Sequence, residues 1–427
     1  MAETSKGDMV EGDTPAGAHP AATAVGNEPV AAVGRRQPRI LELASAFFLI
    51  GLSSFGMAIL QNIRSVPVRR GWLSREEIDE GLGLVQLYPG ATMVDLVAYV
   101  GYRGRRVTGA LAAAMGFIAP SLGLMLLLSW LYGAYGAGSG FRSFTVGLQA
   151  IVVGVVLNVA VEFAGQHVRG RVEAAVAVTA FAVGVLGQNL VWGILAGLLV
   201  GTVALRGDGE PAVAAGLPPE QAGISLRRLG LALVPGVAVG VWALLAVLGS
   251  GPLASLSADM LKIGTVAFGN GATILPVLQH DVVSVHHWLS PREFATAVGF
   301  GQITPGPFLI TAAFVGYRVA GFTGGVVAAG AIFAPSVAMT TVAAELYGLL
   351  SRLRVVRGAL AGVMAAFVGL LATVVLSLGR SAFPVPAALV LAAAAFVAVR
   401  WYRLNVLVVF AAGLAVWELY LLLGGSA

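Results

Sequence analysis

The few ionisable residues inside long apolar stretches are where this chain can do chemistry. Asp95 follows the pair Pro89-Gly90 by five residues. Charged groups deep in apolar segments are costly and mark ion or proton pathways by default, so Asp95 is a candidate carrier of a coupling proton. Lys262, just before Ile263, can pair with Asp259 or attract an anion. Glu162, with Asn158 one turn earlier, is a third candidate. Each also has a plainer reading as an interfacial or structural charge.

The second kind of chemistry lies in the backbone. Pro89-Gly90 and Pro305-Gly306-Pro307 sit in mid-segment, and Phe55-Gly56 and Phe268-Gly269 mark two further breaks. Proline and glycine free backbone groups that hydrocarbon cannot satisfy, so such breaks are tolerated where they line a cavity or are buried in protein. A half-helix starting at a break presents free N–H groups and the positive end of its dipole, which suits an anion. The candidate substrate-binding set is therefore Ser54, Gly56, Gln86, Pro89, Gly90, Thr92, Gly269, Asn270, Gln302, Thr304, Pro305 and Gly306, with Asp95 and Lys262 as coupling charges. These neutral donors can hold an oxyanion without trapping it. An isolated glycine in a membrane helix is better read as a close-packing residue. The duplicated Phe-Gly and Pro-Gly pairs reverse that preference.

The elements that position these residues are membrane helices. Of 427 residues 58% are apolar and 11% charged, with mean hydropathy +0.87, more apolar surface than a soluble chain of this size can bury. The expected fold is an all-α polytopic membrane protein. Apolar segments fall at about 40–62, 80–102, 108–137, 143–164, 172–189, 190–205, 227–249, 253–279, 295–317, 323–351, 355–379, 384–400 and 403–424. Residues 1–34 have no apolar run and read as a disordered cytoplasmic tail. The polar, proline-bearing stretch 206–228 reads as a linker. With no cysteine, disulfides and thiolate metal sites are excluded. His280, His286 and His287 share a loop but lack metal-ligand spacing, and no nucleotide fingerprint stands in a plausible context. The net charge of +5 fits cytoplasmic loop arginines and not nucleic-acid binding. No cofactor is implied, and a homo-oligomer is compatible with the chain.

Five motifs recur in order. Residues 50–56 (IGLSSFG) match 263–269 (IGTVAFG), and Trp72-Leu73-Ser74 matches Trp288-Leu289-Ser290. Gln86, Pro89 and Gly90 match Gln302, Pro305 and Gly306, Gly101-Tyr102-Arg103 matches Gly316-Tyr317-Arg318, and Ala119-Pro120-Ser121 matches Ala334-Pro335-Ser336. The chain thus divides into a first repeat at 40–205, a linker with one extra helix at 206–250, and a second repeat at 253–424. Six segments plus one extra crossing invert the second repeat relative to the first, a common transporter plan with the substrate near the midplane. Two topologies remain. In the preferred one every segment crosses fully but broken, which leaves Arg64, Arg69, Arg70 and Arg75 outside against the positive-inside bias. In the other, 40–62 and 80–102 are re-entrant hairpins bent at Phe55-Gly56 and Pro89-Gly90, and the cluster moves inside.

Across 40–424 these motifs resemble the chromate transporter family, whose members carry Phe-Gly and Pro-Gly-Pro motifs in each of two related domains. The chain departs from that pattern at Phe55-Gly56-Met57-Ala58, at Phe268-Gly269-Asn270-Gly271 and at Pro89-Gly90-Ala91. The resemblance implies a secondary transporter in the inner membrane that exports chromate and confers resistance, with sulfate as the structural analogue. Transport of sulfate or another oxyanion is the runner-up. A membrane-embedded enzyme is a third reading, thinly supported by Asp95 and Glu162 alone.

Overall fold

The structure, a computed structural model, describes residues 36–55, 57–136, 138–188, 190–205, 225–269, 271–350 and 354–425. The expected tail at 1–34, most of the linker (206–224), Gly56 and Asn270 lie outside the described residues. Every regular element among the described residues is helical. The first repeat comprises α1 (Ile40–Ser53), α2 (Met57–Arg69), α3 (Arg75–Leu84), α4 (Thr92–Tyr135), α5 (Ser139–His167), α6 (Arg171–Val185) and α7 (Leu190–Ala204). Helix α8 (Leu226–Leu248) follows. The second repeat comprises α9 (Pro252–Thr265), α10 (Leu275–Gln279) running into a π-helical turn (His280–Val285), α11 (Pro291–Ile303), α12 (Thr311–Leu350), α13 (Arg354–Ala382), α14 (Pro386–Arg400) and α15 (Val406–Leu422). Long apolar stretches able to cross a membrane lie in α4, α5, α8, α12 and α13.

Helices α4 and α12 are each folded in two. Arg105 (φ −144°, ψ 29°) and Arg106 (φ 57°, ψ −145°) break α4, and Ala320 (φ −145°, ψ 33°) and Gly321 (φ 62°, ψ −150°) break α12 in the same way. After each break the chain runs back along itself, with the backbones of Gly101 and Gly109, and of Gly316 and Gly324, in contact. No side chain fits there, which is why glycine recurs at both pairs. The long limbs, 106–135 and 321–350, each extend about 45 Å at roughly 1.5 Å per residue, enough for a hydrocarbon core of about 30 Å.

The preferred topology is overturned by the ends of the shorter helices. The Arg36 N–H, ahead of α1, donates to the Gly71 carbonyl just past α2 at 3.1 Å. Arg103 pairs with Glu77 at 2.5 Å, and Arg105 donates to the Pro38 carbonyl at 2.8 Å. The segments 40–62 and 80–102 are therefore parts of hairpins that return to the rim they left. The physical reason is length: α1 has 14 residues, about 21 Å, and α3 has 10 residues with Glu76, Glu77, Asp79 and Glu80 among them. Arg64, Arg69, Arg70 and Arg75 join this first rim. In the second repeat Arg318 pairs with Glu293 at 2.8 Å, joining α11 to 311–320 as Arg103–Glu77 joins α3 to 92–105.

Inversion follows from two contacts. Arg106, at the start of the α4 long limb, pairs with Glu345 near the end of α12 at 2.6 Å. The Arg318 guanidinium, at the short end of α12, lies 5.8 Å over the Tyr132 ring near the end of α4. The two long limbs run antiparallel, so the repeats open toward opposite rims. Glycine packs each first helix onto its long limb: Gly51 sits on the Phe117 backbone, and Gly264 on that of Ile332.

Candidate functional site

The two Pro-Gly breaks meet the opposite repeat. The Gly90 N–H donates to the Ala267 carbonyl at 2.6 Å and the Thr92 N–H to the Gly269 carbonyl at 3.2 Å. Between them the Ala91 N–H donates to Ser336 Oγ at 2.9 Å. The donors expected to be free at this break are thus held by the Phe-Gly turn and the Ala-Pro-Ser motif of the second repeat. The reciprocal contact is looser. Gly306 adopts φ 104°, a left-handed conformation open to glycine, and a Cβ there would lie 2.8 Å from Ser121 Oγ and 3.6 Å from the Gly51 carbonyl oxygen. Ser121 Oγ itself donates to the Ile118 carbonyl at 2.9 Å.

Asp95, in the first turn of α4, is fully buried against the first break. A Cβ on Gly90 would stand 2.7 Å from Asp95 Oδ1 and 2.8 Å from Cγ, so glycine is required for the carboxyl to sit there. Thr340 Oγ1 lies 3.4 Å from Asp95 Oδ1 and 2.8 Å from the Tyr88 hydroxyl. Ser336 also faces the carboxyl. Asp95 Oδ2 has no hydrogen-bond partner among the described residues, and no cation pairs with Asp95 there. An unpaired buried carboxylate is far costlier than a paired one, so this group needs a proton or an arriving cation.

The remaining candidates are dispersed. Ser54 is buried and accepts from Asn62 Nδ2 at 2.8 Å. Thr304 donates to the Phe300 carbonyl of its own helix at 2.7 Å, while Gln86 is exposed and Gln302 half-buried. Pro89 is half-buried and Pro305 buried beside their glycines. Lys262 is paired with Asp281 at 2.7 Å and, as expected, with Asp259 at 3.1 Å. Asp259 also meets His286 at 2.5 Å, whose ring stacks on Trp288 at 4.3 Å. This is an ion-pair cluster confined to the second repeat, and its partners are not the Pro-Gly loops. Glu162 is exposed on α5 with Gln166 at 3.4 Å. Four site residues went unassigned in the sequence: Tyr88, Ser121, Ser336 and Thr340. The duplicated Ala-Pro-Ser motif was the available signal for the two serines.

Inverted repeats with broken helices that meet between the halves are a common plan among membrane transporters. The chain belongs to the chromate transporter family, whose model matches residues 41–202 and 254–417. It is 30% identical over 363 residues to a chromate transport protein of Cupriavidus metallidurans, covering 82% of this chain and 85% of that one. It is 27% identical over 398 residues to a chromate transport protein of Pseudomonas aeruginosa (89% and 92%). It is also 27% identical over 343 residues to an uncharacterized transporter of Methanocaldococcus jannaschii (80% and 84%). No solved structure matches the chain.

Proposed function

We propose that this protein is a secondary transporter that carries chromate out across the inner membrane, with Asp95 taking part in proton coupling. The observation that carries the reading is the crossing of the Pro-Gly breaks between inverted repeats, with an unpaired buried carboxylate at the first of them. An oxyanion arriving there meets the dipole ends of α4 and α12 and the hydroxyls of Ser336, Thr340 and Tyr88. Release of the Gly90, Ala91 and Thr92 donors from the second repeat turns them toward the anion. Of the expected set, Pro89, Gly90, Thr92, Gly269, Pro305 and Gly306 belong to these breaks; Ser54, Gly56, Gln86, Asn270, Gln302 and Thr304 flank them in sequence, and Lys262 stands apart in its ion-pair cluster. The domain division is 40–205 and 253–424 for the repeats and 206–250 for the linker and extra helix.

Orientation follows the positive-inside rule. The rim holding Arg36, Arg64, Arg69, Arg70, Arg75, Arg103, Arg105 and Arg106 is cytoplasmic, against Arg142, Arg292, Arg318 and Arg380 on the other, so the N-terminus lies inside. Neutral donors and dipoles recognise charge and shape, which sulfate shares with chromate, and sulfate transport is the second reading. Uptake of labelled chromate and sulfate into inverted vesicles, with and without a proton gradient, tests both. Gradient-driven chromate uptake is expected, and wild-type vesicles that move neither anion sink the proposal. Cells expressing the chain should accumulate less chromate and survive it better.

A further inference from the structure

A second anion-binding feature lies away from the Pro-Gly breaks. Where the two first-repeat hairpins return to their rim, a cavity of about 630 Å³ is lined by Arg36, Pro38, Trp72, Arg103, Arg105 and Arg106, among others. Three of the four guanidinium groups have carboxylate partners: Glu42 at 2.7 Å for Arg36, Glu77 at 2.5 Å for Arg103, and Glu345 at 2.6 Å for Arg106. Arg105 has none among the described residues. Its Nε donates to the Pro38 carbonyl, which leaves the terminal nitrogens of its fork for a ligand. The lining itself holds four guanidinium groups and no carboxylate, while Glu42, Glu77, Glu80 and Glu345 stand behind it.

The backbone turn here also differs between the repeats. Arg106 holds φ 57° and ψ −145°, a conformation suited to glycine and strained for a residue with a Cβ. The matching turn in the second repeat has nearly the same angles and uses Gly321, preceded by Ala320 where the first repeat has Arg105. The turn thus works with Ala-Gly, and on this rim alone it carries Arg-Arg. Strain of this kind persists where the side chain has a task that glycine cannot perform; Arg106 reaches Glu345, and the turn that it forms presents Arg105 to the cavity.

Resting on the transport reading above, we infer that this cavity is a capture site for tetrahedral divalent oxyanions, loading the transporter from the arginine-rich rim only. The Arg105 fork contacts the anion directly, and Arg36, Arg103 and Arg106 raise its local concentration. The Ala320-Gly321 rim has no counterpart of this arginine pair, so affinity differs between the two faces.

The test is the initial rate of labelled chromate uptake into vesicles with the arginine-rich rim outward. Arg105→Gln should raise KM about tenfold, the usual cost of one charge-assisted contact, leave Vmax unchanged, and flatten the salt dependence of KM. Arg106→Gly, which takes the residue its counterpart turn already uses, should fold, keep Vmax and raise KM. Arg228→Gln, outside the cavity at the start of α8, whose Ala232 carbonyl accepts from Thr341 near the Glu345 end of α12, should leave KM as in the wild type. An unchanged KM in Arg105→Gln overturns the inference, as does an equal rise in Arg228→Gln, which would trace the effect to general rim potential. A KM difference that vanishes in vesicles free of anionic phospholipid assigns the cavity to a lipid phosphate and also overturns it. Wild-type vesicles that move neither chromate nor sulfate overturn the transport reading and this inference together. Transport with an unchanged KM overturns this inference alone.

Discussion

Ser121 and Ser336 are equivalent by repeat, yet the structure gives them unequal work. Ser336 Oγ is the acceptor for the buried Ala91 N–H at 2.9 Å, and the site offers no water-exposed alternative. Replacing Ser336 with Ala leaves that donor unsatisfied, at a cost of about 1–3 kcal/mol. Ser121 Oγ donates only to the Ile118 carbonyl of its own helix, a back-bond of little or negative worth to a helix. Ser121→Ala should therefore fall within about 0.5 kcal/mol of wild type. Purified variants in one detergent, melted side by side with tryptophan fluorescence as the readout, should place Ser336→Ala clearly below Ser121→Ala and wild type. Ser336→Ala should also raise transport KM, because the loop it holds is released. Equal melting of the two variants would refute the reasoning, since it would mean that the Ala91 hydrogen bond is not what secures the loop.

Asp95→Asn keeps shape and removes the ionisable group; chromate flux in vesicles should persist but cease to respond to an imposed pH gradient, and a retained response would clear Asp95 of coupling. Gly90→Ala drives a methyl into the Asp95 carboxyl and should cost about 1–3 kcal/mol by overpacking, with transport lost; a variant as stable and active as wild type would show that the carboxyl has room to move. A cysteine at Arg70 should react with an impermeant maleimide only from the cytoplasmic face, and labelling only from the periplasm would restore the fully crossing topology.

Much of this architecture was legible because hydropathy and repetition are local signals. The apolar blocks gave helices such as α5 and α13, and the two copies of Phe-Gly, Pro-Gly and Gly-Tyr-Arg gave the repeat. The hairpins were not legible by the same means. A 23-residue apolar window at 40–62 is long enough to span, and it takes the rim contacts, the Arg36–Gly71 hydrogen bond first among them, to show that the chain turns back. The site was half legible for a similar reason. Asp95 and Gly90 announce themselves by type and proximity. Ser336 and Thr340 reach them from about 245 residues away, and no spacing rule links a hydroxyl in one repeat to a loop in the other. The donors at Pro89-Gly90 read as free in the sequence because one half alone does not reveal that its partner occupies them.

The reciprocal threading of the repeats has a consequence for how the protein can be built. Gly90, Ala91 and Thr92 find their acceptors only in the second half, so a first half made alone would insert with three bare amide groups at the depth of the bilayer where none can be hydrated. The second half thus supplies acceptors that the first half lacks, and with the connector at 206–224 in one sequence the two are made at a one-to-one ratio. A gene cut at that connector should yield two polypeptides that are degraded when made singly and that restore function by complementation when made together.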